Sequence, residues 1–137
     1  MREIVFRGKR IDNAEWVEGD LLRTKFYSDD PEHSLIFTAT VEFPRGEFSG
    51  ANEVIPETVG QYTGMKDKNG KRIFEGDIVM FLDYTEPAFI VWDQEDARWF
   101  MRYSDCMLDF SYKCVPSAIE VIGNIHDNPE LIAEVEK

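Results

Sequence analysis

Cysteine and histidine are scarce, with two of each in 137 residues. Cys106 and Cys114 stand eight positions apart. That is neither a metal-ligand spacing nor a secreted disulfide scaffold, so ordinary thiols in a reducing compartment are expected. His33 and His126 stand alone in turn-like settings, and no Cys/His cluster suggests zinc. Long apolar runs are also missing. None approaches the roughly 20 residues that a membrane-spanning helix needs, and Met1–Arg7 has no long apolar stretch before its next charges, so a signal peptide is not expected. Basic residues are outnumbered, 15 Lys and Arg against 27 Asp and Glu, for a net charge of −12. That balance argues against non-specific nucleic-acid binding, which relies on Lys and Arg displacing phosphate counterions. It argues equally against docking on anionic lipid. There is no G-x-S-x-G nucleophile motif and no phosphate-binding glycine loop. No catalytic residue, cofactor or metal is therefore expected, and the chain does not read as an enzyme.

What is present is enough to fold. Hydrophobic residues make up 43% and aromatics 13%, which supplies a core and argues against disorder. The length suits a single domain over 1–137, or two small lobes, 1–52 and 53–137, sharing one core. Period-two alternation and short apolar runs dominate. They predict strands at Ile4–Phe6, Leu21–Phe26, Leu35–Phe43, Val59–Thr63, Ile73–Phe74, Ile78–Leu82, Ala88–Trp92, Arg98–Tyr103 and Ile119–Ile125. Pro44–Asn52 reads as a loop or hinge. Lys68-Asn69-Gly70-Lys71 predicts a tight hairpin of type I′, since Asn and Gly both tolerate positive φ. Helix is expected only over about Pro129–Val135, after the capping signals of Asp127-Asn128-Pro129-Glu130. Trp16, Ile78 and Trp92 are the expected core anchors.

Two segments echo each other. Gly8 aligns with Gly64 and Asn13 with Asn69, both 56 positions on, and Glu18-Gly19-Asp20 aligns with Glu75-Gly76-Asp77, 57 positions on. Each copy reads as a hairpin followed by a sharp corner. Glycine permits the corner's backbone angles and aspartate ties the turn. Gly19, Asp20, Asn69, Gly70, Gly76 and Asp77 are therefore expected as structural turn residues. Short strands turning corners in succession are how small SH3-like rolls and barrels close.

The pairs Glu18/Asp20 and Glu75/Asp77 admit a second use, as carboxylates converging on a metal or acting as acid and base in a small hydrolase. The competing reading is that each aspartate orders its own turn. Asp93, Glu95 and Asp96 lack the spacing of a calcium loop and suit a polar hairpin tip. Trp92, Trp99, Phe100, Tyr103 and Tyr112 fall in one region. Without accompanying Lys and Arg they suggest packing and a protein–protein face more than base stacking.

The run VIPETVGQYTGMKDKNGKRIFEGDIV (Val54–Val79) resembles the hallmark of the YopX family of bacteriophage and prophage proteins. FRGKRIDNAEWVEGDL near the start and EVIGNIHDNPEL (Glu120–Leu131) fit the same family. The resemblance implies a mainly β fold with SH3-like, branched (bifurcated) sheets, homo-oligomers, and a phage- or prophage-encoded protein in a bacterial cytoplasm. It carries over no catalytic residues. Together these observations predict an accessory protein that acts through protein–protein contacts, with itself first and then with a host or phage protein. The candidate contact surface comprises Ile55, Pro56, Gln61, Tyr62, Trp99, Tyr103, Leu131 and Ile132. An acidic, DNA-mimicking inhibitor of a host DNA-binding or defence protein is the alternative.

Overall fold

Alternating side chains on a pleated strand bury one face and leave the other to solvent. This chain uses that pattern almost throughout. A computed structural model describes residues 3–38, 50–81, 86–103, 107–109 and 118–132. It is mainly β, with all strand pairs antiparallel, and divides into two compact units, Met1–Gln61 and Tyr62–Lys137.

In the first unit, β1 (Phe6–Lys9) pairs with β2 (Trp16–Thr24), β2 with β3 (His33–Phe37), and β3 with β4 (Ala51–Val54). The Asp12-Asn13 turn forms as its residues suggest. The Glu15 N–H donates to the Asn13 side-chain oxygen at 3.0 Å, and the Ala14 N–H to the Arg10 carbonyl at 3.0 Å. A single bridge, Arg10 to Val54, joins β4 back to the end of β1. It is flanked by Ile11 N–H to Glu53 C=O at 3.0 Å and Ile55 N–H to Lys9 C=O at 2.8 Å. The ladder β1-β2-β3-β4 therefore returns on itself around the buried side chains of Ile36 and Val54. A 3-10 turn over Pro56–Thr58 follows, and its Thr58 hydroxyl accepts from the Lys9 N–H at 2.9 Å.

β5 (Gly60–Lys66) crosses the division. Gly60 and Gln61 pair with β1, and later residues pair with β6 (Arg72–Phe74). In the second unit β7 (Asp77–Phe81), β8 (Ala88–Asp93), β9 (Arg98–Arg102), β10 (Met107–Asp109) and β11 (Ile119–Asn124) lie in the order β10-β9-β8-β7-β11. Val79 packs with Ile73, Ala88, Ile90, Met101, Tyr103 and Ile119, whereas its neighbour Ile78 packs with Ile132, Phe89 and Ile125. Adjacent residues on a strand point to opposite faces, so β7 is covered on both sides. That is why Asp77–Val79 is buried without a break.

Several expectations are corrected. β4 occupies the end of the stretch expected as a loop, because Asn52 and Ala51 pair with Ile36 and Phe37; residues 44–49 lie outside the described residues, as do Tyr112, Cys106 and Cys114. The C-terminal α-helix is replaced by a 3-10 turn over Pro129–Ile132, with the Leu131 N–H reaching the Asn128 carbonyl at 3.1 Å. Asn128 is itself tied to Asn124 through backbone and side chain, and the tight turn drops Ile132 onto Ile78; residues 133–135 lie outside the described residues. Trp92 is 41% exposed and is no core anchor. It shares the inward parity of Ala88 and Ile90 but sits beyond the core's edge, near the hairpin tip. There it meets Trp99 edge-on with ring centroids 4.9 Å apart. Trp16 is half-buried, with the Arg7 guanidinium 4.7 Å from its ring centroid. Ile78 is fully buried, as expected.

Candidate functional site

The turn residues of the second unit serve the fold. Asp67, just before the Asn69-Gly70 turn, is 6% exposed and organises it. The Asn69 and Lys71 N–H groups donate to its Oδ1 at 2.9 Å each, and the Val121 N–H of β11 donates to Oδ2 at 3.0 Å. Burial alone would raise this carboxyl. The three backbone bonds, aided by the charge of Lys71, outweigh it and hold the group below its ordinary value. The turn is not type I′, since Gly70 has positive φ and Asn69 does not. The Gly70 N–H bonds the Asp67 carbonyl at 3.0 Å, and the Asp67 N–H bonds the Lys71 carbonyl at 2.8 Å. This is a type I turn closed by a left-handed glycine. Asp67 favours it by accepting from the backbone two residues on, a signal the spacing offered and the Asn-Gly pair obscured.

The two Glu-Gly-Asp corners do not match. Gly76 turns with φ +88°, its N–H donating to Ile90 C=O at 2.9 Å and its carbonyl accepting from Ile125 N–H at 2.9 Å. Asp77, 1% exposed, accepts from the Phe74 N–H at 2.8 Å. Gly19 and Asp20 instead lie inside β2, opposite Phe6 and Phe37. No turn forms there, so Gly19 is needed for space: a Cβ would sit 1.9 Å from the Phe37 carbonyl oxygen. Gly8 and its counterpart Gly64 both lie in strands, but only Gly64 has positive φ (+90°), so the two copies differ in backbone conformation. Among the described residues, no group of three or more His, Cys, Asp or Glu is arranged to hold a metal.

Three members of the expected contact surface are buried. Tyr62 packs on Phe74 with centroids 5.6 Å apart, Tyr103 belongs to the second unit's core, and Ile132 covers Ile78. Extended backbone turns Tyr62 and Tyr103 inward and the C-terminal 3-10 turn does the same for Ile132. Pro56 and Leu131 are exposed, while Ile55, Gln61 and Trp99 are half-buried.

A site that the sequence did not reveal lies in the first unit, at the seam where β4 returns to β1. In an antiparallel strand successive residues direct their backbone groups to opposite sides. Gly50 C=O accepts from Thr38 N–H at 2.9 Å, so Gly50 and Asn52 face β3 while Ala51 and Glu53 face away. The Glu53 carbonyl meets Ile11, after which the chain turns off through the Arg10–Ala14 turn. Among the described residues, nothing continues the ladder along Ala51. The gap is a shallow pocket of about 250 Å³ lined by Arg10, Ile11, Asp12, Ala51, Asn52 and Glu53. Ile11 is 55% exposed. Arg10 Nη2 is paired to Asp12 Oδ2 at 2.7 Å.

His33 stands behind the pocket. Its Nδ1 is 2.5 Å from Glu53 Oε2 and its Nε2 is 2.9 Å from Asp30 Oδ2, with the Phe26 ring at 4.7 Å. Hydrogen bonding to Glu53, then to Asp30, raises the imidazole above its ordinary value of 6.5 against a small desolvation penalty. The Asp30–His33 spacing was visible in the sequence. Glu53, 20 positions on, was not, because only the β3–β4 pairing brings it across.

These features define a small antiparallel β protein whose polar groups are spent largely on turns, with an open strand edge among the described residues of its first unit. Residues 5–133 match the family described as YopX protein, and the chain belongs to that family. The crystal structure of protein EF1440 from Enterococcus faecalis is similar, at 26% identity over 96% of this chain and 99% of that chain, with a TM-score of 0.60. No curated protein matches the chain. No helix among the described residues is long and apolar enough to cross a membrane.

Proposed function

We propose that this chain is a non-enzymatic, phage- or prophage-encoded accessory protein of the bacterial cytoplasm that acts through protein–protein contacts, first with copies of itself. The observation that carries this reading is the open edge at Ala51 beside exposed Ile11. A strand edge presents unpaired backbone donors and acceptors that a second chain completes, and a neighbouring apolar side chain adds contact area. The returning ladder of the first unit supports the SH3-like roll that the family resemblance implies.

The test is the mass in solution, by light scattering behind a sizing column at low and high salt. A multiple of 15.9 kDa that survives high salt is expected. Ala51→Pro removes an outward N–H and should return the chain to monomer. A monomer under both salt conditions overturns the reading.

A further inference from the structure

We infer that His33 is a proton-controlled latch on this seam, holding the Glu53 carboxylate when the imidazole is charged and releasing it into the pocket when the imidazole is neutral. The inference rests on the seam being the contact face.

The geometry is that of an imidazolium. Both ring nitrogens lie within hydrogen-bond distance of carboxylate oxygens, Nδ1 on Glu53 and Nε2 on Asp30. An ionised carboxylate only accepts, and a neutral ring carries one N–H. Only the doubly protonated ring satisfies both partners. Once neutral, one nitrogen turns a lone pair toward a carboxylate and that arm must open. The charges acting on the ring are Glu53 from β4 and Asp30 from the preceding loop; β2 contributes Thr24 opposite, and the loop contributes the Phe26 ring.

The two arms differ in consequence. Asp30 lies in the loop just before His33, three residues away. Glu53 lines the pocket, and its carbonyl holds Ile11. Its side chain is 40% exposed, so on release it can be solvated where it stands. Across the pocket Arg10 is engaged by Asp12. No cation among the pocket's lining residues is left to replace the imidazolium, and release adds one negative charge to the seam. In a chain of net charge −12, that addition works against a second copy.

The sign follows from the raised value. The latch is fully present below about 6.5, the ordinary histidine value, and is lost as pH rises through the higher folded value. Self-association should weaken in the same window.

Ring nitrogen signals of His33 in the full chain, followed by NMR from about pH 5 to 9, test this. The expected result is a His33 midpoint above 6.5, with both nitrogens protonated below it. The Glu53 carboxyl carbon should move with that midpoint, and Glu53→Gln should lower the midpoint toward the ordinary value. Asp30→Asn gives a second, independent lowering. The assembly mass should fall through the same window in the parent chain and show no such step in Glu53→Gln. A Glu53 carboxyl signal that stays flat across the His33 transition, or a midpoint unmoved by Glu53→Gln, overturns the latch. A coupled titration in a chain that is monomeric at every pH sustains the latch and overturns the contact reading.

Discussion

The tripeptide Glu-Gly-Asp occurs at residues 18–20 and again at 75–77, and the two copies do opposite things. The second is a corner. Gly76 takes positive φ, and Asp77 is buried and accepts from the backbone of Phe74. The first is the middle of a nine-residue strand, where Gly19 lies against the Phe37 carbonyl and Asp20 faces solvent. Both need glycine, one for a backbone angle and one for space. A local motif thus identifies a position that tolerates only glycine without saying why. The reason comes from the neighbouring strand, which β3 supplies in one unit and the β8 and β11 segments supply in the other.

The contrast can be broken by substitution. Gly19→Ala places a methyl 1.9 Å from backbone oxygen that is fixed in the β2–β3 ladder, so a loss of about 3 kcal/mol or more is expected in urea unfolding. At Gly76 an added Cβ meets nothing closer than 3.5 Å, but Gly76→Val forces a branched residue to φ +88°, which costs about 2 kcal/mol. If Gly76→Val proves the worse of the two, the assignment of space to one and angle to the other is reversed.

The second aspartate-built corner, at Asp67, adds a test through pH. Asp67→Ala leaves three backbone donors without their carboxylate and should cost about 3 kcal/mol. The folded value of Asp67 is lowered, so its contribution is present above the ordinary aspartate value of about 4 and is lost as pH falls through the folded value. Unfolding curves across acid pH should therefore be flatter in Asp67→Ala than in the parent chain. Equal slopes would show that Asp67 does not carry the acid sensitivity.

The smallest expected effect separates the paired aspartates themselves. Asp77→Ala should cost about 2 kcal/mol through a buried backbone bond, while Asp20→Ala, at an exposed position, should fall within about 0.5 kcal/mol of the parent. Similar melting of both variants would mean that Asp77 does no more for the fold than Asp20.

Much of the architecture was legible along the chain. Period-two patterning marked most strands within a few residues, and Ile78 was recognisable as core. The errors share one cause. Trp92 and Trp99 look alike in sequence and pair across the same hairpin at the core's edge, yet Trp92 is exposed while Trp99 packs on Met101's cluster. Tyr62, Tyr103 and Ile132 were expected at a surface because aromatic and aliphatic side chains suit interfaces, which is equally true of a core. β4 was hidden because Ala51-Asn52-Glu53 has little strand propensity and forms through its partner β3.

By itself the sequence determined the β class, the family, the acidic surface and the positions where only glycine fits, since alternation, charge and backbone permissiveness are properties of short segments. The tertiary structure alone decided which tripeptide turns and which runs straight, which aromatics are buried, and that His33 meets Glu53. Those depend on pairings between residues far apart in the chain, and strand register, which short-range patterning leaves open, sets them.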